Sequence, residues 1–398
     1  MSSALELCAF GSLVSWVYLT FLHARFWRAD QRLPLAGDSP SDTAEWPAVA
    51  AVVPARNEAR GVERALRSVL DQDYPGRLRV ILVDDQSDDE TWERALRVAR
   101  SHPRGAQLEI LRAPPRPGGW VGKMWAVHTG VSRAHETAPD ALFLWITDAD
   151  VDHTPSVVRR LVRKAQREQL DLASILVRLH CRSRWERLLV PAFAYFFQLL
   201  YPFARVNDPR SRVAGAAGGC MLVRATALDR AGGFEAIRGE IIDDCALGRL
   251  LKRGGRIWLG LCPEEYSFRP YTGLTEIWQM IARSAYTQLH HSPLLLAGTL
   301  VGLALLFGAP LISVLGLAWT HDLGAALAGG LAWALMTLTL QPTLRDYALS
   351  PALGAALPLA GLLYATMTLD SARRSWLGRG GEWKGRAGAG RADAPSGG

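Results

Sequence analysis

The chain has 398 residues, 49% hydrophobic and 21% charged, with 45 Lys and Arg against 38 Asp and Glu for a net charge of +7. This excludes a wholly disordered chain, and 37 glycines with five scattered cysteines exclude a collagen and a disulfide scaffold. The length exceeds what one core usually holds, so a second structural unit is expected, and the odd, widely spaced Cys8, Cys181, Cys220, Cys245 and Cys262 read as reduced thiols. The mild basic balance would suit a membrane surface, a phosphorylated ligand or nucleic acid; the uneven spread of apolar residues favours the membrane, and no nucleic-acid partner is expected.

Residues 5–22, LELCAFGSLVSWVYLTFL, carry one early charge, Glu6, and are followed by Arg25, Arg28 and Arg32. A cleaved signal peptide has its positive charge in front, so residues 1–24 read as an N-terminal anchor whose C-terminal end faces the cytoplasm. Residues 25–46 hold Pro34 and Pro40 and read as a linker.

From Trp46 the pattern alternates. Residues 48–55 form a continuous apolar run suited to a buried parallel strand. A helix is expected over about 61–71, with Asn57 as a candidate cap, then a strand at 79–85 and a helix begun by Ser87 and Asp89 that ends near His102. Strands at 108–113 and 141–150 flank a Gly-rich loop and a helix at about 122–136. This is an α/β sheet of Rossmann-like type, whose ligands bind beyond the strand C-termini.

Residues 188–204, LLVPAFAYFFQLLYPFA, are apolar and aromatic between Arg182, Arg184, Arg187 and Arg205. They read as an interfacial helix on the membrane surface, with a buried domain helix as the plainer alternative. Residues 291–370 hold three long apolar stretches, at 293–319, 323–341 and 351–369, and read as a C-terminal transmembrane region. Residues 371–398 read as a basic, then disordered, tail. The charges raise a conflict. One crossing at the N-terminus and three at the C-terminus put the tail outside, yet Arg373, Arg374, Arg379, Lys384 and Arg386 favour the cytoplasm. A re-entrant stretch, a first segment that does not cross, or an external tail would each resolve it. A cytoplasmic tail is expected and the number of crossings stays open.

Four polar motifs lie at expected strand ends or beyond: VVPARNE at 52–58, VDDQSDDET at 83–91, TDAD at 147–150 and the Asp243-Asp244 pair in EIIDDCALGRLLKRGG. In this order they resemble family 2 glycosyltransferases of the GT-A fold over about residues 47–290. Within that family the whole chain is similar to members associated with bacterial hopanoid lipids. The resemblance implies a GT-A nucleotide-diphospho-sugar transferase domain at 47–290, between N- and C-terminal transmembrane helices, in a multi-pass protein of the bacterial inner membrane with its catalytic domain in the cytoplasm.

The residues carry their own chemistry beside it. Asp148 and Asp150, two apart in an expected extended segment, would point the same way and could hold Mg2+ or Mn2+ against a donor diphosphate. The resemblance makes Asp150 the direct metal ligand and places Asp148 nearer the ribose or a metal-bound water, with Asp152 as an extra ligand. It assigns Asp85 to the uracil edge, Glu58 to the ribose, and Pro54 and Ala55 to backbone contacts with the base. Asp89 is an ordinary helix cap on the plain reading. Lys123, one of four lysines, stands at a helix start after Gly118, Gly119 and Gly122, where a phosphate could bind.

An inverting transfer needs a base for the acceptor hydroxyl. The family motif makes it Asp244, with Asp243 where glutamate is usual. Gly218 and Gly219 resemble the acceptor-side segment, Cys220 is expected to be packed, and His180 structural. The Gln-x-x-Arg-Trp motif of many membrane members is reduced to Arg283, a candidate diphosphate contact, and Trp383-Lys384-Gly385-Arg386 resembles a membrane-surface tail motif. The expected partners are a nucleotide-sugar donor, a UDP-sugar, a membrane lipid acceptor and the bilayer, and the lost motif points to single addition rather than processive synthesis. A polyprenyl-phosphate acceptor, a non-catalytic scaffold and a transporter are the rival readings.

Overall fold

The computed structural model describes residues 2–34 and 45–377; residues 35–44 of the linker and the tail beyond 377, with its Trp383–Arg386 motif, lie outside them. The chain forms two units. Among the described residues, one is built on a sheet, from residues 31–34, 45–179 and 205–269, and the other is helical, from residues 2–30, 180–204 and 270–377.

The sheet unit contains β1 (Ala48–Ala55), β2 (Leu78–Asp84), β3 (Leu108–Arg112), β4 (Ala141–Thr147), β5 (Val151–Asp152), β6 (Leu172–Arg178), β7 (Cys220–Arg224) and β8 (Ile257–Ser267), in the order β3-β2-β1-β4-β7-β6-β8-β5. β1, β2, β3 and β4 run parallel, whereas β7 is antiparallel to both β4 and β6. The expected helices appear at Val62–Leu70, Thr91–Ser101 and Gly122–Thr137. Pro54 is tolerated in an inner strand because pairing of β1 with β4 ends at Val52, so its missing N–H costs no ladder bond on that side. Gly130 lets its helix lie against the sheet: a Cβ there would stand 2.5 Å from Val52 and 2.9 Å from Val83.

Two local expectations change. Asn57 does not cap the following helix, whose N-cap is Gly61. It adopts a left-handed φ of 51° and its side chain accepts from the Asp88 amide. Nor are Asp148 and Asp150 in an extended segment: β4 ends at Thr147 and the acids occupy the turn that leads to β5.

In the helical unit, four helical runs are long and apolar enough to cross a membrane: Ala4–Phe21, Pro293–Thr320, Leu323–Asp346 and Pro351–Trp376. Every large apolar side chain exposed among the described residues belongs to this unit, including Leu7, Val301, Trp319 and Leu331. The helix Arg184–Leu200, opened by a Ser183–Glu186 capping box, packs with these runs: Tyr195 bonds Thr339 at 2.8 Å and the Tyr364 hydroxyl donates to the Leu189 carbonyl at 2.9 Å.

The contacts also set directions. Trp16 donates to the Leu306 carbonyl at 3.0 Å, and Leu5 lies beside Gly316, so the first helix runs antiparallel to 293–320. Residues 351–356 form a 3-10 segment that climbs back along 323–346, with Gln341 donating to the Pro351 carbonyl and Trp333 to that of Ala355. The helix Leu357–Trp376 then turns and descends: Gly361 packs on Phe307, Ala372 shares a cluster with Leu296, and Trp376 donates to the Tyr286 hydroxyl. The stretch 351–376 therefore enters and leaves at one end, reaching only to the level of Phe307, about halfway along 293–320.

The close approach at Gly130 predicts that Gly130→Ala destabilises the sheet unit by about 1–3 kcal/mol, because β-branched Val52 cannot retreat. Helix propensity alone would reverse that sign. Thermal unfolding of the two proteins in detergent distinguishes the cases.

Candidate active site

The ends of β1 and β2 build one wall. Pro54 and Ala55 are buried, and the Asp85 amide donates to the Ala55 carbonyl at 2.8 Å. The Arg56 guanidinium donates to the carbonyls of Asp85 at 2.5 Å and Gln86 at 3.0 Å, pinning the loop after β2. The Glu58 amide donates to Thr91 Oγ1 at 2.7 Å, and the Asp89 carboxylate accepts from the amides of Ala59 and Thr91. Asp89 thus ties the loop after β1 to the start of the next helix, and the Glu58 backbone is fixed by that same stitch.

The second wall gathers charge. Lys123, at the start of Gly122–Thr137, reaches Asp148 at 2.7 Å and Asp243 at 3.8 Å. Its side chain is only 18% exposed. Burial works against its ammonium form, but Asp148, Asp243 and Asp244 outweigh burial and raise its pKa above the usual lysine value. Asp243 and Asp244 open the helix Asp243–Lys252. Asp244 accepts from the Gly218 amide at 2.9 Å and from the Cys245 amide at 2.7 Å, one on each oxygen. Burial and the Asp243 charge push its pKa up to about 6, against the pull of Lys123 and the two amides.

The two glycines have packing reasons. A Cβ on Gly218 would stand 3.4 Å from both Asp244 and Lys123, and one on Gly219 would stand 2.7 Å from Val177. Gly218 therefore belongs to the carboxylate site, whereas Gly219 faces β6. Cys220 is buried under the Trp145 indole N–H, and burial pushes its thiol up, as a packed cysteine requires.

Among the described residues no group of three or more His, Cys, Asp or Glu side chains is placed to hold a metal ion. Asp148 and Asp150 supply oxygen donors only, and Asp152 is engaged by Arg64 at 2.7 Å. That set fits a hard divalent cation bound together with a diphosphate, since such ions often take one or two carboxylates and complete their shell with water and phosphate. It does not fit a resident ion caged by protein alone. Arg283 belongs to the helical unit, as C-cap of the helix Leu274–Ala282. His180 is in that unit too, bonded to Glu186 at 2.7 Å.

Sequence reasoning missed a polar network behind the acidic turn. Thr147 Oγ1 lies 2.6 Å from His153 Nε2, and His153 Nδ1 lies 2.8 Å from Glu265. Both the His153 and Glu265 side chains are fully buried.

The chain is similar to known proteins. The sequence pattern of the family described as Glycosyltransferase like family 2 matches residues 47–268, more than half of the chain. An N-acetylglucosaminyltransferase of Mesorhizobium japonicum is 26% identical over 229 residues, 57% of this chain and 50% of that protein. A dolichol-phosphate mannosyltransferase of Pyrococcus furiosus is 28% identical over 115 residues, 29% of each. The chain spans half or less of the length of the curated relatives it matches. A mannosyltransferase from Pyrobaculum calidifontis, solved with GDP-mannose and Mn2+, superposes with a TM-score of 0.54 at 23% identity, over 90% of this chain and 99% of that one. That likeness establishes a GT-A-like fold, and the match of the sequence pattern over the sheet unit establishes the kinship: the chain belongs to glycosyltransferase-like family 2.

Proposed function

We propose that the protein transfers a sugar from a nucleoside diphosphate donor, a UDP-sugar, to a membrane lipid, with inversion and by single addition. The observation that supports it most is the carboxylate group around Lys123, in which Asp244 combines a raised pKa with two backbone donors. Asp244 is then a base still ionised at neutral pH but more basic than an exposed carboxylate, suited to accept the acceptor hydroxyl proton. The Gly218 and Cys245 amides fix both its oxygens and leave lone pairs for that hydroxyl. Asp243 raises its basicity. Pro54, Ala55, Glu58 and Asp85 line the nucleoside side of the proposed site. Lys123 holds Asp148 in place before the donor binds and offers a cation to phosphate oxygens when it does. Asp148 and Asp150 would hold Mg2+ or Mn2+, which when bound neutralises charge on the diphosphate.

The lipid acceptor is supported by the confinement of exposed apolar surface to the helical unit. A hopanoid is the narrower acceptor that the whole-chain resemblance names. The name of the dolichol-phosphate relative supports the polyprenyl-phosphate alternative. In the membrane we place three crossings, by residues 4–21, 293–320 and 323–346, with 351–376 re-entrant. This puts Arg25, Arg28, Arg345, Arg373 and Arg374 at one end and Glu6, His321 and Asp322 at the other, as the positive-inside tendency requires for a cytoplasmic catalytic unit in the bacterial inner membrane.

Calorimetric titration with UDP-glucose, UDP-GlcNAc and GDP-mannose in Mn2+ or Mg2+ tests the donor. One donor is expected to bind in a metal-dependent way, and Asp150→Ala to lose it; no binding of any donor or of UDP by folded protein overturns the reading. Asp244→Asn is expected to keep donor binding and lower turnover by about 10²–10⁴-fold. In the wild type, kcat/KM should rise as pH increases through about 6, where Asp244 ionises; that limb should vanish in the variant.

Lys123 has a folded pKa above its unfolded one, so its stabilisation is fully present below the unfolded value and persists across pH 5–9. Lys123→Met removes it and leaves three carboxylates uncompensated. Its melting temperature should fall most at pH 8 and recover toward pH 5, as the carboxylates take up protons. For the topology, His321→Cys should react with an impermeant maleimide from outside the cell, in a background lacking Cys8 and Cys181. Trp376→Cys should react only after permeabilisation, and external labelling at that position would refute the re-entrant arrangement.

A further inference from the structure

We propose that Thr147, His153 and Glu265 form a buried relay that positions the acidic turn for donor binding; this rests on the donor-site reading above. The turn from Asp148 to Asp152 is held first by backbone. The Asp148 amide donates to the Gly219 carbonyl at 3.4 Å, the Phe268 amide to the Asp150 carbonyl at 3.0 Å, and β5 pairs with β8 through Val151 and Asp152. These bonds fix where the turn enters and leaves. They do not fix its angle relative to Asp244, which depends on how the base of the turn is closed.

The relay closes that base. Thr147 is the last residue of β4 and His153 the first after β5, and their side chains meet at 2.6 Å. Thr147 Oγ1 also donates to the Gly219 carbonyl at 3.0 Å. His153 is in turn held by Glu265 of β8, which accepts from the Thr154 amide and hydroxyl as well. The Trp145 ring packs on His153 with centroids 4.8 Å apart, blocking rotation. The Gly219 carbonyl and the Gly218 amide are adjacent along the chain, and the latter holds Asp244. One hydrogen-bonded path therefore runs from Glu265 through His153 and Thr147 to the segment that orients the base.

A histidine serving only to fill the core would need none of these partners, because apolar residues of similar volume are often neutral or better in place of a buried polar pair. None of the three side chains is placed to touch the donor. They are positioning residues, and they act where outer-shell partners act on ligating carboxylates.

The test is calorimetry of UDP, with Mn2+ and in EDTA, on the full-length protein and on His153→Phe, Thr147→Val and Thr147→Ser. Thr147→Val removes one hydroxyl at constant shape and keeps the test available should His153→Phe fail to fold. The relay predicts that both disruptive variants lose about tenfold or more of their UDP affinity in Mn2+, that in EDTA they bind UDP no more weakly than the wild type does, and that Thr147→Ser restores the wild-type value. Equal binding of wild type and variants in Mn2+ overturns the relay. So does an equal loss with and without Mn2+, which would mark general damage to the fold. Absence of UDP binding by the wild type removes the donor reading itself, and with it the relay.

Discussion

An ammonium group that must be shared among carboxylates sets the terms for the sheet unit's functional edge. Asp148 follows β4 and Asp243 and Asp244 open a helix almost a hundred residues later, yet all three act on Lys123. Like charges brought this close repel, and burial strengthens the repulsion. Without the lysine the turn and the helix start would be driven apart. With it, the cluster is compensated before any substrate arrives, while burial and Asp243 still hold the Asp244 pKa above the usual carboxylate value. Binding a diphosphate at such a place exchanges partners among charges already present, so the edge need not create its electrostatics anew.

The two units answer to different solvents. In the sheet unit the large apolar side chains are covered, and the buried strands read as unbroken apolar runs such as AVAAVVPA. In the helical unit they stand exposed along whole helices. Water would penalise that surface and a bilayer would not. The helix Arg184–Leu200 belongs with the second group, since Tyr195, Leu189 and Phe196 find their partners on the apolar runs. The stretch 351–376 shows what length alone misses. It has enough apolar residues to cross, but Gly354 and Gly361 allow a close hairpin against Thr337 and Phe307. The Trp333 indole N–H and the Gln341 amide meet two of that hairpin's carbonyls, those of Ala355 and Pro351.

These particulars explain what the sequence could reveal. β1 and β2 were legible nearly residue by residue, because buried parallel strands are continuous apolar runs bounded by polar loops. The acids at 147–150 and 243–244 were legible as motifs. Their geometry was not: a D-x-D spacing looks alike in a strand and in a turn, and it is the pairing of β4 with β7 that ends at Thr147. Lys123 was visible as a rare lysine at a helix start, yet its carboxylate partners are distant in sequence. His153 and Glu265 were hidden for the same reason, and Glu265 stands after the apolar run of β8 beside an exposed Glu264, so nothing in its neighbours marks it as buried. The reversal at 351–376 was open to sequence only as a charge conflict, since depth depends on contacts between helices.

The antiparallel strand β7 is what allows the two halves of the carboxylate group to meet. In a wholly parallel sheet, only segments leaving the strands emerge at the ligand-binding edge. β7 runs the other way, pairing Cys220 with Thr147. Its incoming segment, Gly218 and Gly219, therefore reaches the same edge as the outgoing turn of β4. Gly219 accepts from Thr147 at the end of β4 and from the Asp148 amide in the turn, and the residue before it, Gly218, donates to Asp244. A Cβ at Gly218 would stand 3.4 Å from both Asp244 and Lys123, so the junction brings the backbone into close reach of both. The strand reversal is the device that brings Asp244 from one part of the chain into register with the acids from another.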